Sequence, residues 1–329
     1  PEAHNNRGLM FARAGDFAGA LASYDRALAA RPNYIEAHNN RGAALKELRR
    51  NAEALDSYDR ALALKPDYAV AHYNRGRLLH EIGNLQEALT ACDKAVAYDP
   101  RAFAAFNNRA LVLRDLNRHE EALVDCDRAL ALNPHYVEAL SNRGAILQEL
   151  GRPEESLASF DSALSVQPDT AVAWHNRGHA LRGLARYDDA LASYDRAVAM
   201  KPDYAEAHFN AGLCRLMLGD FAGGWEQYEW RGLNEPECDF TAPIWNGADS
   251  LAGKVLLLRA EQGLGDAIQF VRYARMAAKR CGRLLIEVPR PLVALFADAV
   301  AAGMLPGEIV ADAGPIPDIA AHIPFMSLP

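Results

Sequence analysis

Residues 33–66, NYIEAHNNRGAALKELRRNAEALDSYDRALALKP, hold every feature that decides the fold. Ala37, Gly42, Ala54, Tyr58 and Pro66 stand in an order that recurs along the chain at a constant offset of 34 residues. The prolines show the interval most plainly: Pro32, Pro66, Pro100, Pro134, Pro168 and Pro202, with Pro236 in phase. Such a period marks stacked helix–turn–helix units. Small residues at Ala37, Gly42 and Ala54 let two helices approach closely. Tyr58, four residues after Ala54, shares its helical face and fills the next gap. The proline ends the second helix, because its ring and missing N–H cannot continue one. The same slots hold Gly8, Gly76, Ala110, Gly144, Gly178 and Gly212, and Tyr24, Cys92, Cys126, Phe160, Tyr194 and Tyr228. One unit cannot bury its apolar face alone, so stability comes from stacking. A mainly α fold follows, a solenoid of about seven repeats.

This pattern resembles the tetratricopeptide repeat, W-x2-L-G-x2-Y, then A-x3-F, then P. The glycine or alanine, the A-x3-aromatic pair and the proline match over residues 1 to about 235. The first aromatic is His4, His38, His72 and His208, with Phe106, Leu140 and Trp174 elsewhere. Arginine replaces the family's leucine at Arg7, Arg41, Arg75, Arg109, Arg143 and Arg177. The resemblance implies a right-handed solenoid whose first helices line a concave groove for a protein or extended peptide. The chain begins at Pro1, inside a repeat and without Met, so the native protein is expected to continue upstream.

One column does not vary: Asn6, Asn40, Asn74, Asn108, Asn142, Asn176 and Asn210. Asparagine is a poor interior helix residue, since its amide competes with the backbone. An amide both donates and accepts, so a ladder of them can pair with the N–H and C=O of an extended peptide. The resemblance adds that the tetratricopeptide superhelix of O-GlcNAc transferase holds peptide backbone with a comparable ladder. Hydrogen bonding between adjacent repeats is the other reading, and the two can coexist. The neighbouring arginines run in register with Asp25, Asp59, Asp93, Asp127, Asp161 and Asp195, which reads as helix-to-helix ion pairs. A groove for phosphate or acid is the alternative.

Bulk properties exclude other classes. A chain of 329 residues suits about two domains, and half of it is hydrophobic. The net charge of −8, with no long run of Lys or Arg, argues against a nucleic-acid partner. No stretch approaches the ~20 apolar residues of a membrane span; a cytoplasmic location is expected, with export left open, since no signal peptide is visible but the native N-terminus is expected upstream. The five cysteines include no CxxC, and Cys92 and Cys126 read as small core residues in a reducing compartment. His175 and His179 share a helix face, but no third ligand stands at metal spacing, so no metal is expected.

After Pro202 the character changes. The seventh repeat ends in GGWEQYEWR (223–231), aromatic enough to dock onto something else, and residues 236–253 read as a linker or docking strap. Residues 254–329 then read as α/β: strands over 254–259 and 284–288, a glycine turn at Glu261-Gln262-Gly263-Leu264-Gly265, and helices over 266–280 and 291–301. A fragment of three strands would leave apolar sheet exposed and form the less stable part. A P-loop is excluded, because Val255 follows Lys254 and a strand follows both. A dinucleotide fingerprint is disfavoured, because Ile268 stands where a third small residue belongs.

The run LLLRAEQGLGDAIQFVRY (256–273), with GWEQYEWR, PIWNG and PFMSLP around it, resembles bacterial proteins that fuse such repeats to a heptosyltransferase-like domain of glycosyltransferase family 9. That resemblance implies an incomplete Rossmann-like (GT-B N-terminal) segment, with Glu261, Gln262, Gly263 and Gly265 as an acceptor loop. It makes Asp266 the candidate general base toward the hydroxyl of a glycan or protein acceptor. Helix N-capping is the structural alternative for Asp266. The donor domain is absent, so this chain is expected to need no cofactor and to transfer no sugar by itself, while the full-length protein would use a nucleotide-sugar. A pure interaction scaffold with a degenerate α/β cap is the competing expectation.

Overall fold

The computed structural model describes residues 1–234, 242–247, 249–261, 263–311 and 318–328. The chain divides into two compact units, Pro1–Ala207 and His208–Pro329.

The first unit is a run of helical hairpins. They pair α1 (Glu2–Arg13) with α2 (Phe17–Ala30), α3 (Ile35–Glu47) with α4 (Asn51–Leu64), and α5 (Ala69–Glu81) with α6 (Leu85–Tyr98). The series continues with α7 (Phe103–Asp115) and α8 (His119–Leu132), α9 (Val137–Glu149) and α10 (Pro153–Val166), and α11 (Ala171–Gly183) and α12 (Tyr187–Met200). Each second helix packs on the first helix of the next repeat, and successive first helices also touch.

The glycine and aromatic columns meet inside each hairpin. A Cβ on Gly144 would lie 2.6 Å from Phe160, and one on Gly42 would lie 2.6 Å from Tyr58. Where the column carries Ala110 its partner is the smaller Cys126, and both are fully buried. An alanine thus stands in the glycine column only opposite a small side chain, whereas Gly76, with Cys92 Sγ 2.8 Å from where its Cβ would be, keeps glycine. Burial pushes the Cys92 and Cys126 thiols up to about 12, so they stay protonated and act as packing groups.

The turn inside each hairpin needs one left-handed residue. Gly15, Gly83 and Gly151 supply it with φ of 79°, 80° and 69°, whereas Arg49, Asn117 and Ala185 adopt it at 60°, 60° and 56°. A side chain there costs about 1–2 kcal/mol in local strain, which the packed helices on either side outweigh.

In the second unit, α13 (Ala205–Leu218) starts just before the boundary, and α14 (Phe221–Tyr228) runs into a 3-10 turn at Glu229–Asn234. Then come β1 (Leu251–Arg259), α15 (Leu264–Phe270), α16 (Ala274–Ala278), β2 (Cys281–Val288), α17 (Val293–Ala301), β3 (Glu308–Ala311) and β4 (Ala321–Pro324). The sheet is parallel throughout, in the order β3-β2-β1-β4. Leu256 and Leu257 pair with Leu284 and Leu285 on one side and with Ala321 and His322 on the other.

Three expectations change here. Both strands start three residues earlier than the sequence suggests. A Cβ on Gly282 would meet Gly253 Cα at 2.5 Å, and glycines in such close approach read as turns. The helix expected over 266–280 is two, separated by a 3-10 turn at Val271–Tyr273, where a β-branched and an aromatic residue disfavour helix. The sheet has four strands rather than three, since β4 is only AHIP and ends on a proline.

The core of this unit joins Leu256, Leu258, Ile286, Val288, Phe270 and Phe296 to Tyr228, Trp245 and Phe325. Phe209, Leu213 and Leu216 of α13 and Trp225 of α14 pack against it. The last helical pair, in phase with the repeats, thus contributes its apolar face to the α/β core. The described part of the strap lies along β4. Pro243 O accepts from His322 N at 3.0 Å, and Trp245 N donates to His322 O at 2.7 Å.

Candidate functional site: the inner face of the repeats and the loop after the first strand

Each first helix turns one side to its own second helix and its two flanks to neighbouring first helices. The remaining face carries Ala43, Arg77, Leu111, Ala145 and His179, none of them buried, together with exposed Val70 and Val172. This open inner face is bordered by two polar rows that link repeat to repeat.

The first row is the asparagine column. Asn40 Nδ2 donates to Asn5 Oδ1 at 3.1 Å, Asn74 to Asn39 at 2.9 Å, and Asn142 to Asn107 at 2.9 Å. The bond needs an acceptor 35 residues earlier. At the junctions of Asn108 and Asn176 that residue is Tyr73 or Ser141, and the pattern changes. Asn108 is buried and donates to Cys92 Sγ at 3.1 Å, and Asn176 Oδ1 lies 3.3 Å from His175 Nδ1. Asn6 is exposed and Asn210 is half-buried. The amide carbonyls of Asn74 and Asn142 accept no hydrogen bond among the described residues. At Asn74 and Asn142, inter-repeat bonding therefore uses one amide donor and leaves the acceptor over, whereas Asn40 Oδ1 accepts from Asn39 Nδ2 at 3.5 Å.

The second row is ionic and escaped the sequence reading. Lys46 Nζ lies 2.7 Å from Glu81, His80 Nε2 lies 2.7 Å from Asp115, and Arg114 Nε lies 4.0 Å from Glu149. Each pair joins residues 35 apart, an offset that a search at the repeat period of 34 passes over.

The arginine column forms helix-to-helix ion pairs. Arg41, Arg75, Arg109, Arg143 and Arg177 reach Asp25, Asp59, Asp93, Asp127 and Asp161 of the preceding repeat at 2.6–2.8 Å. Several also reach their own second helix. Arg41, Arg143 and Arg177 donate to Ser57, Ser159 and Ser193 at 2.6, 2.7 and 2.7 Å, and Arg109 makes a two-point contact with buried Asp125 at 2.7 Å. The column is thus a set of three-helix struts.

The residue in the first-aromatic slot also has a bond to make. His38 Nε2 lies 2.8 Å from Pro32 O, His72 Nε2 lies 2.9 Å from Pro66 O, and Trp174 Nε1 lies 2.9 Å from Pro168 O. A carbonyl only accepts, so each histidine carries its proton on Nε2 and replaces the indole N–H. His175 stacks at a tilt on Tyr204, 5.1 Å between centroids. Among the described residues, no three His, Cys, Asp or Glu side chains are grouped to hold a metal.

In the second unit the chain passes from β1 to β2 to β3 on one side, then places β4 on the other side of β1. The carboxyl ends of β1 and β4 therefore flank a switch point, where open parallel sheets bind ligands as a rule. Here it is filled from within. Arg231, 5 % exposed, makes a two-point contact with Glu261, itself 3 % exposed, at 2.8 and 3.1 Å. Arg231 also donates to Ser327 Oγ at 2.8 Å and to Glu229 at 3.0 Å, over the Tyr228 ring. Glu261 is thus committed to an internal ion pair, and Gln262 lies outside the described residues.

Gly263, not Asp266, occupies the N-cap of α15, which corrects the capping reading. Asp266 is the third helical residue, and its backbone N–H bonds Gly263 O at 3.1 Å. Neither glycine is required by the fold: φ at Gly263 is −56°, and a Cβ on Gly265 would meet nothing within 4 Å.

No helix among the described residues is long and apolar enough to cross a membrane. No curated protein matches the chain. Among solved structures, a tetratricopeptide repeat protein from Parabacteroides merdae is 20% identical, covers 72% of this chain and 94% of its own, and superposes with a TM-score of 0.56. Pseudomonas aeruginosa pilF is 18% identical, with coverage of 62% and 93% and a TM-score of 0.56. These likenesses concern the fold. YrrB, described as a TPR protein with an unusual peptide-binding site, is 26% identical over 56% of this chain and 95% of its own, with a TM-score of 0.48. Sequence models of the tetratricopeptide repeat match residues 39–100, 103–136 and 135–203, and a model of the TPR repeat matches residues 8–49. These matches together extend over more than half of the 329 residues, and the chain belongs to the tetratricopeptide repeat family.

Proposed function

We propose that this protein is a binding scaffold that holds an extended peptide segment of a protein partner along the inner face of its repeats. The observation that carries this reading is the asparagine row. Asn74 and Asn142 are fixed by bonds from their own Nδ2 and keep their carbonyls on the border of the open face. An amide so oriented accepts from a backbone N–H whatever side chain the peptide carries. In this proposal Asn6, Asn40, Asn108, Asn176 and Asn210 continue the row, with Asn108 contributing the least because it is buried. Replacing Asn74 and Asn142 together by Ala is expected to weaken binding to an array of capped decapeptides by roughly five- to twentyfold. Helicity by circular dichroism should stay the same. Unchanged affinity would remove the asparagine row from the proposal.

A second reading is favoured by one observation: Gly263 and Gly265, which the fold does not require, are exposed at the N-cap and in the first turn of α15, just after β1 and beside the switch point of a parallel sheet. On this reading residues 254–329 belong to a glycosyltransferase-like domain, joined to repeats over 1–235 by the strap at 236–253. Asp266 takes the acceptor proton, Gly263 and Gly265 admit the acceptor, and a nucleotide-sugar is held by parts of the protein beyond these residues. Asp266→Asn in the full-length protein should then abolish sugar transfer from a nucleotide-sugar panel without altering the fold. Transfer at the normal rate would reject the role of Asp266.

A further inference from the structure

The ionic row on the inner face breaks at one place. Its carboxylate column runs Glu47, Glu81, Asp115, Glu149 and then Gly183, while its donor column runs Lys46, His80, Arg114, Gln148 and Arg182. Lys46, His80 and Arg114 each face a carboxylate of the next repeat. Gln148 comes opposite Gly183 and donates to Asn176 O at 3.1 Å instead, so the missing acid is matched by a neutral donor. The match then fails. Arg182 is a full cation, and the residue 35 positions later in the sequence is Met217, not an acid. Arg182 makes no hydrogen bond or ion pair among the described residues.

Beside Arg182 stands a neutral donor. His179, one turn earlier on the same face of α11, is exposed, and its proton affinity is lowered by its own desolvation and by Arg182. Glu206 is close enough to act on His175 but forms no ion pair with Arg182. A guanidinium presents a planar fork of donors suited to a carboxylate, and such charge-assisted bonds are stronger than neutral ones.

We propose that Arg182, with His179 beside it, is an acid-accepting position of the peptide groove, taking the Asp or Glu side chain of a bound segment. The guest carboxylate supplies the counter-charge that Arg182 does not find among the described residues. A side chain is the source, rather than a chain terminus, because Asn74 and Asn142 offer backbone acceptors two repeats apart, as suits a segment that passes through. This inference rests on the peptide-binding reading above and gives it a chemical preference.

The test uses the whole chain and an array of N-acetylated, C-amidated decapeptides that differ only in a central Glu or Gln, with uncapped copies beside them. Wild-type protein is expected to prefer the Glu peptides by about three- to tenfold, and more salt should shrink the preference. Arg182→Gln should bring it close to one while Gln-peptide binding and helicity stay unchanged; Arg196→Gln, on the second helix, should leave it intact. Peptide binding without a Glu preference, or a preference that survives Arg182→Gln, overturns the inference and leaves the groove standing. Binding only to peptides with a free C-terminal carboxylate also overturns it. Binding to no peptide at all rejects the groove itself, and this inference with it.

Discussion

At the residue scale, the close approach of the two helices of each hairpin sets what the glycine column can carry. The glycine column exists because a tyrosine or phenylalanine ring from the second helix lies where a Cβ would be, 2.6 Å away at Gly144. Gly144→Ala is therefore expected to destabilise the chain by about 1–3 kcal/mol through overpacking. Ala110 beside Cys126 shows the native solution with a larger first residue and a smaller second. Phe160→Cys should accordingly cost much less in the Gly144→Ala background than in the wild type, a non-additivity that denaturation of the four proteins measures. Simple additivity would mean that the two positions do not share one gap.

At the element scale, the arginine struts differ in what surrounds them. Arg41 pairs with Asp25, which is 52 % exposed, and such a pair is worth under ~1 kcal/mol. Arg109 holds Asp125, which is 4 % exposed, and removing the guanidinium strands a buried carboxylate. Arg109→Ala is expected to cost about 3–5 kcal/mol, and Arg41→Ala well under half of that; equal losses in urea denaturation would contradict the distinction. Much of this scaffold is legible in the sequence, because the period of 34 fixes which residues share a layer. Pro32, Gly42, Tyr58 and the arginine–aspartate register could be read from spacing alone. The ionic row could not, since Lys46 and Glu81 differ in chemistry and sit one residue off the period. The role of His38 was also hidden, because its N–H serves a carbonyl that every residue has. In the second unit, β4 was too short and proline-ended to signal a strand, and Arg231 reaches Glu261 across 30 residues with no motif to announce it. The candidate site was half legible: the asparagine column was plain, but which amides bond across repeats depends on the preceding residue, Asn39 at one junction and Tyr73 at the next.

At the scale of the whole molecule, the sequence boundary near residue 235 cuts through a core. Phe209, Leu213, Leu216, Trp225 and Tyr228 belong with the sheet, and Arg231 neutralises buried Glu261. A fragment of residues 205–329 is expected to fold, whereas 236–329 loses that apolar cover and strands Glu261, so its near-ultraviolet circular dichroism should collapse. Equal folding of the two fragments would show that the helical pair is not part of that core. For the first unit the central claim is that partners lie on the inner face. The most direct measurement compares peptide-array binding by Ala145→Trp, which fills the inner face, with Ser162→Trp, on the exposed side of a second helix. Binding should be lost with Ala145→Trp and kept with Ser162→Trp. Loss with Ser162→Trp alone would put the partner on the opposite surface and contradict the account.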